Sequence, residues 1–224
     1  PDMMTGYQYA TYFDQAQFNG SGNHLYSDDE RQKILDYQNG VSDVYVEKGS
    51  GGKWNYDHTY ANVDWLDQYF KDSSFSQEHN ASISGGNDKV TYYASGNYLK
   101  QGGLVRYGGD NSERYNLTGK INAQISKYVK LGYSARWTRK NYDRPTYLND
   151  AFYSNVLRRA RPVRAMYDPN GYLMNDINYV GVLQDGGRYK INNDQLSQQI
   201  RLTISPLKNW NIYGEMNIKT DYNW

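Results

Sequence analysis

Cysteine is absent from the 224 residues, which removes disulfides, thiolate metal sites and thiol nucleophiles together. Histidine is nearly as scarce. His24, His58 and His79 lie far apart without the spacing of a zinc site, and are read as solvated loop or strand-end residues. No Gly-x-Ser-x-Gly, P-loop or Gly-x-Gly-x-x-Gly segment is present, and nothing points to a glycosidase pair of carboxylates. No catalytic residue, cofactor or metal is therefore expected. Charge of one sign is missing too: Lys+Arg number 25 against Asp+Glu 24, so no field gathers a polyanion and nucleic acid is not expected as a partner. No stretch approaches the ~20 consecutive apolar residues of a membrane helix, and mean hydropathy is −0.94. The chain opens on Pro1 and Asp2 with no basic or apolar leader, so for an exported protein the true N-terminus is expected upstream.

What is abundant is the aromatic ring. Aromatics make up 16% of the chain, within a hydrophobic total of 38%, and 25 residues are Tyr. From residue 78 onward these rings sit in segments of period-2 alternation, the mark of strands with one apolar and one polar face. The expected strands lie near 78–85, 90–99, 115–125, 129–139, 194–205 and 210–221. In the clearest of them Tyr115, Leu117, Gly119, Ile121, Ala123 and Ile125 alternate with Asn116, Thr118, Lys120, Asn122 and Gln124. Short turns at 86–89, 126–128 and 206–209 join the strands into hairpins, and long gaps at 100–114 and 140–193 separate them.

Such strands suit two folds. The rings Tyr98, Tyr128, Trp137 and Trp210 lie near strand ends, flanking an apolar band, and the opposite face is too polar to pack against a second sheet. This favours an all-β fold: a transmembrane antiparallel β-barrel segment, about six strands of a larger plugged barrel, with long, partly helical outer loops. On this reading residues 1–77 are an extracellular loop region with short helices and 78–224 are the barrel hairpins. The alternative is a soluble or surface-attached carbohydrate-binding β-sandwich using exposed Tyr and Trp to stack sugar. Within the first 77 residues Ser27-Asp28-Asp29-Glu30 reads as a capping box opening a helix that Gly40 closes. These acids lack the spacing of a calcium loop. Asp64 to Phe70 reads as a second short helix.

Met4-Thr5-Gly6-Tyr7-Gln8-Tyr9-Ala10, Asn62-Val63-Asp64-Trp65-Leu66-Asp67 and Ser82-Ile83-Ser84-Gly85-Gly86 resemble the SusC-like (RagA-type) TonB-dependent transporters. So do Thr91-Tyr92-Tyr93-Ala94-Ser95-Gly96-Asn97-Tyr98, Gln101-Gly102-Gly103, Glu113-Arg114-Tyr115-Asn116-Leu117 and Ser205-Pro206-Leu207-Lys208-Asn209-Trp210, in the family's order. The resemblance implies a fragment covering the first long outer loop and early barrel strands of a ~22-stranded plugged barrel in the outer membrane of a Gram-negative bacterium. It implies import of oligosaccharides or oligopeptides, with TonB, a SusD-like surface lipoprotein and outer-membrane lipid as partners of the full-length parent. No plug and no TonB-contacting segment can be matched to these residues.

Two clusters are candidate sites. Tyr142, Arg144 and Tyr147 form a ring-cation-ring spacing suited to sugar stacking, and are carried as substrate-binding candidates. Arg158, Arg159, Arg161 and Arg164 form the strongest charge cluster, able to meet phosphates or an acidic substrate, or to pair with nearby acids.

Overall fold

The computed structural model describes residues 3–174 and 179–224, so part of the 140–193 gap, residues 175–178, lies outside the described residues. The described chain forms two compact units that interleave along the sequence. One comprises Pro1–Asp72, Leu104–Gly108 and Pro145–Gly187; the other comprises Ser73–Gly103, Gly109–Arg144 and Arg188–Trp224.

The first unit is mixed helix and sheet. Helix α1 (Gly6–Ser21) starts at Thr5, whose side chain accepts from the Gln8 amide while Gln8 reaches back to the Thr5 N–H, two otherwise orphaned donors satisfied at once. Gly22 ends it in the left-handed region (φ 73°), where a side chain would be strained. Helix α2 (Asp28–Gln38) carries the same box from Ser27 and Glu30, with three acids in its first turn against the positive end of the helix dipole. Strands β1 (Val46–Lys48) and β2 (Trp54–Thr59) pair antiparallel as a small sheet. Helix α3 (Trp65–Tyr69) is capped by Asp64.

Two further helices, α4 (Asp150–Arg159) and α5 (Val180–Asp185), close over α3. Trp65, Tyr69 and Phe152 are the largest fully buried rings, with Tyr69 and Phe152 edge-on at 5.4 Å. Burial of each such side chain stabilises by roughly 1.5–3 kcal/mol. Their polar atoms are satisfied: the Trp65 indole N–H donates to the Arg161 carbonyl at 2.9 Å, and the Tyr69 hydroxyl accepts from the Tyr179 amide at 3.0 Å.

The second unit is one sheet of six antiparallel strands in sequence order. They are β3 (Ser76–Gly86), β4 (Val90–Gly102), β5 (Asn111–Ser126), β6 (Val129–Pro145), β7 (Arg188–Leu207) and β8 (Trp210–Asn223). The Ala94–Gly119 and Gly119–Ala135 pairs keep β4, β5 and β6 in a common alternation, so residues of one face line up across all three.

The expectation of a transmembrane barrel segment is corrected here. Among the described residues the strands are all antiparallel and form two sheets, one of two strands and one of six, with helices in the first unit as expected of its long loops. The six-stranded sheet is an open meander, with β3 paired to β4 at one edge and β8 to β7 at the other, and does not close into a barrel among the described residues. The descriptions "barrel" and "membrane protein" therefore do not apply to the fold seen in the described residues. Period-2 alternation reports that a sheet has one apolar and one polar face; closure depends on which strands meet the edges, and alternation carries nothing about that. No helix among the described residues is long and apolar enough to cross a membrane.

Candidate functional site

One face of the six-stranded sheet changes character along the strands. Near the short turns it is apolar, with Ile83, Ala94, Gly119 and Ala135 in consecutive register positions. Next comes a row of rings, where His79 stacks on Tyr98 at 6.3 Å and Tyr98 tilts against Tyr115 at 4.9 Å. Beyond the rings the same face becomes polar: Lys100 lies opposite Glu113, which lies opposite Asn141, and Asn111 lies opposite Asp143. Lys190 and Asn192 of β7 join them around a cavity of about 370 Å³, whose lining Tyr142 completes. That volume lies in the range of small-ligand sites.

The charges in this rim are matched internally. Lys100 meets Glu113 at 3.2 Å, and Glu113 also accepts from the Tyr115 hydroxyl at 3.1 Å and the Tyr98 hydroxyl at 3.5 Å. Burial, then the hydrogen bond to the Glu113 carboxylate, pushes the Tyr115 phenol above its ordinary range. Asp143 pairs with Arg188 at 2.8 Å, and Lys190 stands 3.9 Å away. Next to the cavity Arg139 binds Asp194 through two bonds of 2.7 and 2.6 Å, with its guanidinium over the rings of Trp137 and Trp224. The Arg139 hydrogen bonds hold the Asp194 carboxyl below its ordinary range. Among the described residues the side-chain amides of Asn111, Asn141 and Asn192 make no hydrogen bond. They are the open valences of the rim.

The opposite face is mostly polar, with Tyr93, Leu99 and Tyr213 among its polar side chains. Across four strands Asn97 donates to Asn80, Asn116 donates to Asn97 at 2.8 Å, and Thr138 donates to Asn116 at 2.9 Å. A second network links Ser134, Gln199, Glu215 and Arg201. Hydrogen bonds from Asn217, Arg201 and Gln199 hold the Glu215 carboxyl down to about 2.

The sequence candidates are dispersed. Tyr142 lines the rim cavity, Arg144 places its guanidinium 4.8 Å from the Tyr189 ring, and Tyr147 packs in the core of the other unit, stacked on Tyr179 at 5.3 Å. Tyr142 and Arg144 thus belong to the sheet unit and Tyr147 to the other. The arginine cluster separates in the same way: Arg158 and Arg159 end α4, Arg161 lies over Phe13 at 5.5 Å, and Arg164 donates to the Tyr56 carbonyl beside Asp57. Asp28, Asp29 and Glu30 pair with Arg31, Lys33 and His58, as helix-start acids. Sequence reading missed Lys100, Glu113, Asn141 and Asn192, which lie beyond the apolar band, where the alternation fades because both faces become polar. Among the described residues no group of three or more His, Asp or Glu could hold a metal, and no enzymatic role is assigned to the chain.

With this geometry in hand, comparison with known proteins gives a fold class. No family model matches the chain. It superposes on the RagAB peptide importer in its closed-closed state with a TM-score of 0.65 at 20% identity, over 98% of this chain and 26% of that one. A second RagAB peptide transporter structure matches with a TM-score of 0.61 at 22% identity, over 97% of this chain and 25% of that one. In sequence, 89 residues are 36% identical to TonB-dependent receptor P3 of Formosa agariphila, 40% of this chain and 9% of that protein. The chain thus shares the fold of part of a RagAB-type transport protein and a weak sequence likeness to a TonB-dependent receptor. It spans about a quarter of the solved chains it matches.

Proposed function

We propose that this chain is part of a RagAB-type, TonB-dependent uptake system of the outer membrane, importing oligosaccharides or oligopeptides. The observation that carries the reading is a fold match over nearly the whole chain to two importer structures, alongside the receptor likeness in sequence. A paired surface lipoprotein of the SusD-like type and TonB are the partners this reading supplies, and residues 1–77 are its outward-facing region. The sheet contributes a broad polar face whose amide ladder and Glu215–Arg201 network offer hydrogen bonds to a hydrated substrate. A gene disruption tests it. The mutant is expected to lose growth on one oligomeric carbon or nitrogen source while growing normally on the corresponding monomers; unimpaired growth on every oligomer sinks the proposal.

A second reading, a surface-attached carbohydrate-binding β-domain, is favoured by the same face, where Tyr93 and Tyr213 stand exposed among planar amides. It predicts glycan binding without any uptake defect.

A further inference from the structure

We propose that the cavity at the polar rim of the sheet is a subsite for a neutral, hydroxyl-rich ligand, a saccharide unit. The inference rests on the uptake reading and chooses between its two substrate classes. Glu113 is already held by Lys100 and two tyrosine hydroxyls, and Asp143 by Arg188 with Lys190 nearby. A peptide terminus or any other charged group would have to displace one of these partners and leave the other charge uncompensated. A sugar hydroxyl has no such cost, since it donates to a remaining carboxylate lone pair without changing the charge balance.

The open valences fit the same ligand. The carboxamides of Asn111, Asn141 and Asn192 each offer two donors and one acceptor group, and vicinal hydroxyls both donate and accept. The volume of about 370 Å³ suits one or two sugar rings, and the lining comes from β4, β5, β6 and β7, whose ladders hold it in place.

Titration calorimetry on the full-length protein with maltotetraose, xylotetraose, galactotetraose and tetra-alanine tests the assignment. At least one neutral tetrasaccharide is expected to bind, with an affinity that changes less than about twofold between low and high salt. Asn141→Ala and Asn192→Asp should each weaken it about fivefold or more, while Lys127→Ala, in the short turn between β5 and β6 and outside the cavity lining, should change it less than about twofold. Unchanged melting of each variant shows that the fold is intact. Absence of tetrasaccharide binding, steep salt dependence or binding indifferent to the two asparagine changes overturns the proposal. Binding of tetra-alanine that the same variants abolish overturns the saccharide assignment and leaves the uptake reading standing, since that reading fails separately, on growth of the disrupted strain.

Discussion

Asp14 shows how much one side chain decides. It is 1% exposed, and its carboxylate accepts from the Leu25 and Tyr26 amides at 2.6 and 2.9 Å and from Arg31 at 2.8 Å, with the His24 ring nitrogen at 2.7 Å. Burial alone would raise its pKa, but the bonds from Tyr26, His24 and Leu25 outweigh burial and lower it below the ordinary 3.8. A depressed carboxyl contributes stability that is complete above the unfolded value and is lost as pH falls through the folded one. Protection factors at Leu25 and Tyr26, the exchange rates corrected for the intrinsic pH dependence of amide exchange, should therefore hold at neutral pH and fall below pH 3.8. Asp14→Ala strands these donors and should cost on the order of 3 kcal/mol, read as faster exchange at both amides at every pH. Gly108 is a second such position. Its φ of 74° is left-handed, and a Cβ there would sit 1.9 Å from the Leu183 carbonyl oxygen. Gly108→Ala should lower the urea midpoint by the equivalent of about 2 kcal/mol or more, whereas Gly109→Ala, with open space around it, should cost less.

Helices and strands differ in how much of them can be read from sequence. Ser27 and Glu30 mark the start of α2 because a capping box is local chemistry, three residues long, and Ser27→Ala should cost about 1 kcal/mol, seen as faster exchange of the Glu30 amide. The same local signal, Thr5 with Gln8, stands ahead of α1. Asn149, which caps α4 by accepting from Ala151 and Phe152, left no such box. The six alternations at 78–221 fall inside β3 to β8, but β5 begins at Asn111, β6 runs to Pro145 and β7 begins at Arg188. Strand ends are illegible for a physical reason. Past the apolar band the ladder continues through Lys100, Asn192 and Lys190, where both faces are polar and no contrast remains. That is also why the rim cavity could not be located in advance: its residues come from four strands, and only their pairing brings them together.

The two units differ in what they leave uncovered. The first encloses its rings in a core assembled from three separated stretches, an arrangement with no periodic trace in the sequence. The sheet of the second leaves Ile83 63% and Leu117 56% exposed on one face, and among the described residues its edge strands β3 and β8 each lack a partner on one side. An exposed apolar face bounded by open strand edges recruits other chains. The 224 residues on their own should associate with rising concentration in sedimentation, and detergent below its denaturing range should suppress this; a monomer at every concentration would contradict the exposure of that face. The central claim, membership of an energised uptake system, is tested most directly by the rate at which intact cells take up a fluorescent oligosaccharide or oligopeptide with and without the gene. The account predicts uptake that disappears in the disrupted strain and, in the parent strain, on collapse of the proton gradient; uptake unchanged by disruption, with loss of surface binding alone, would contradict it.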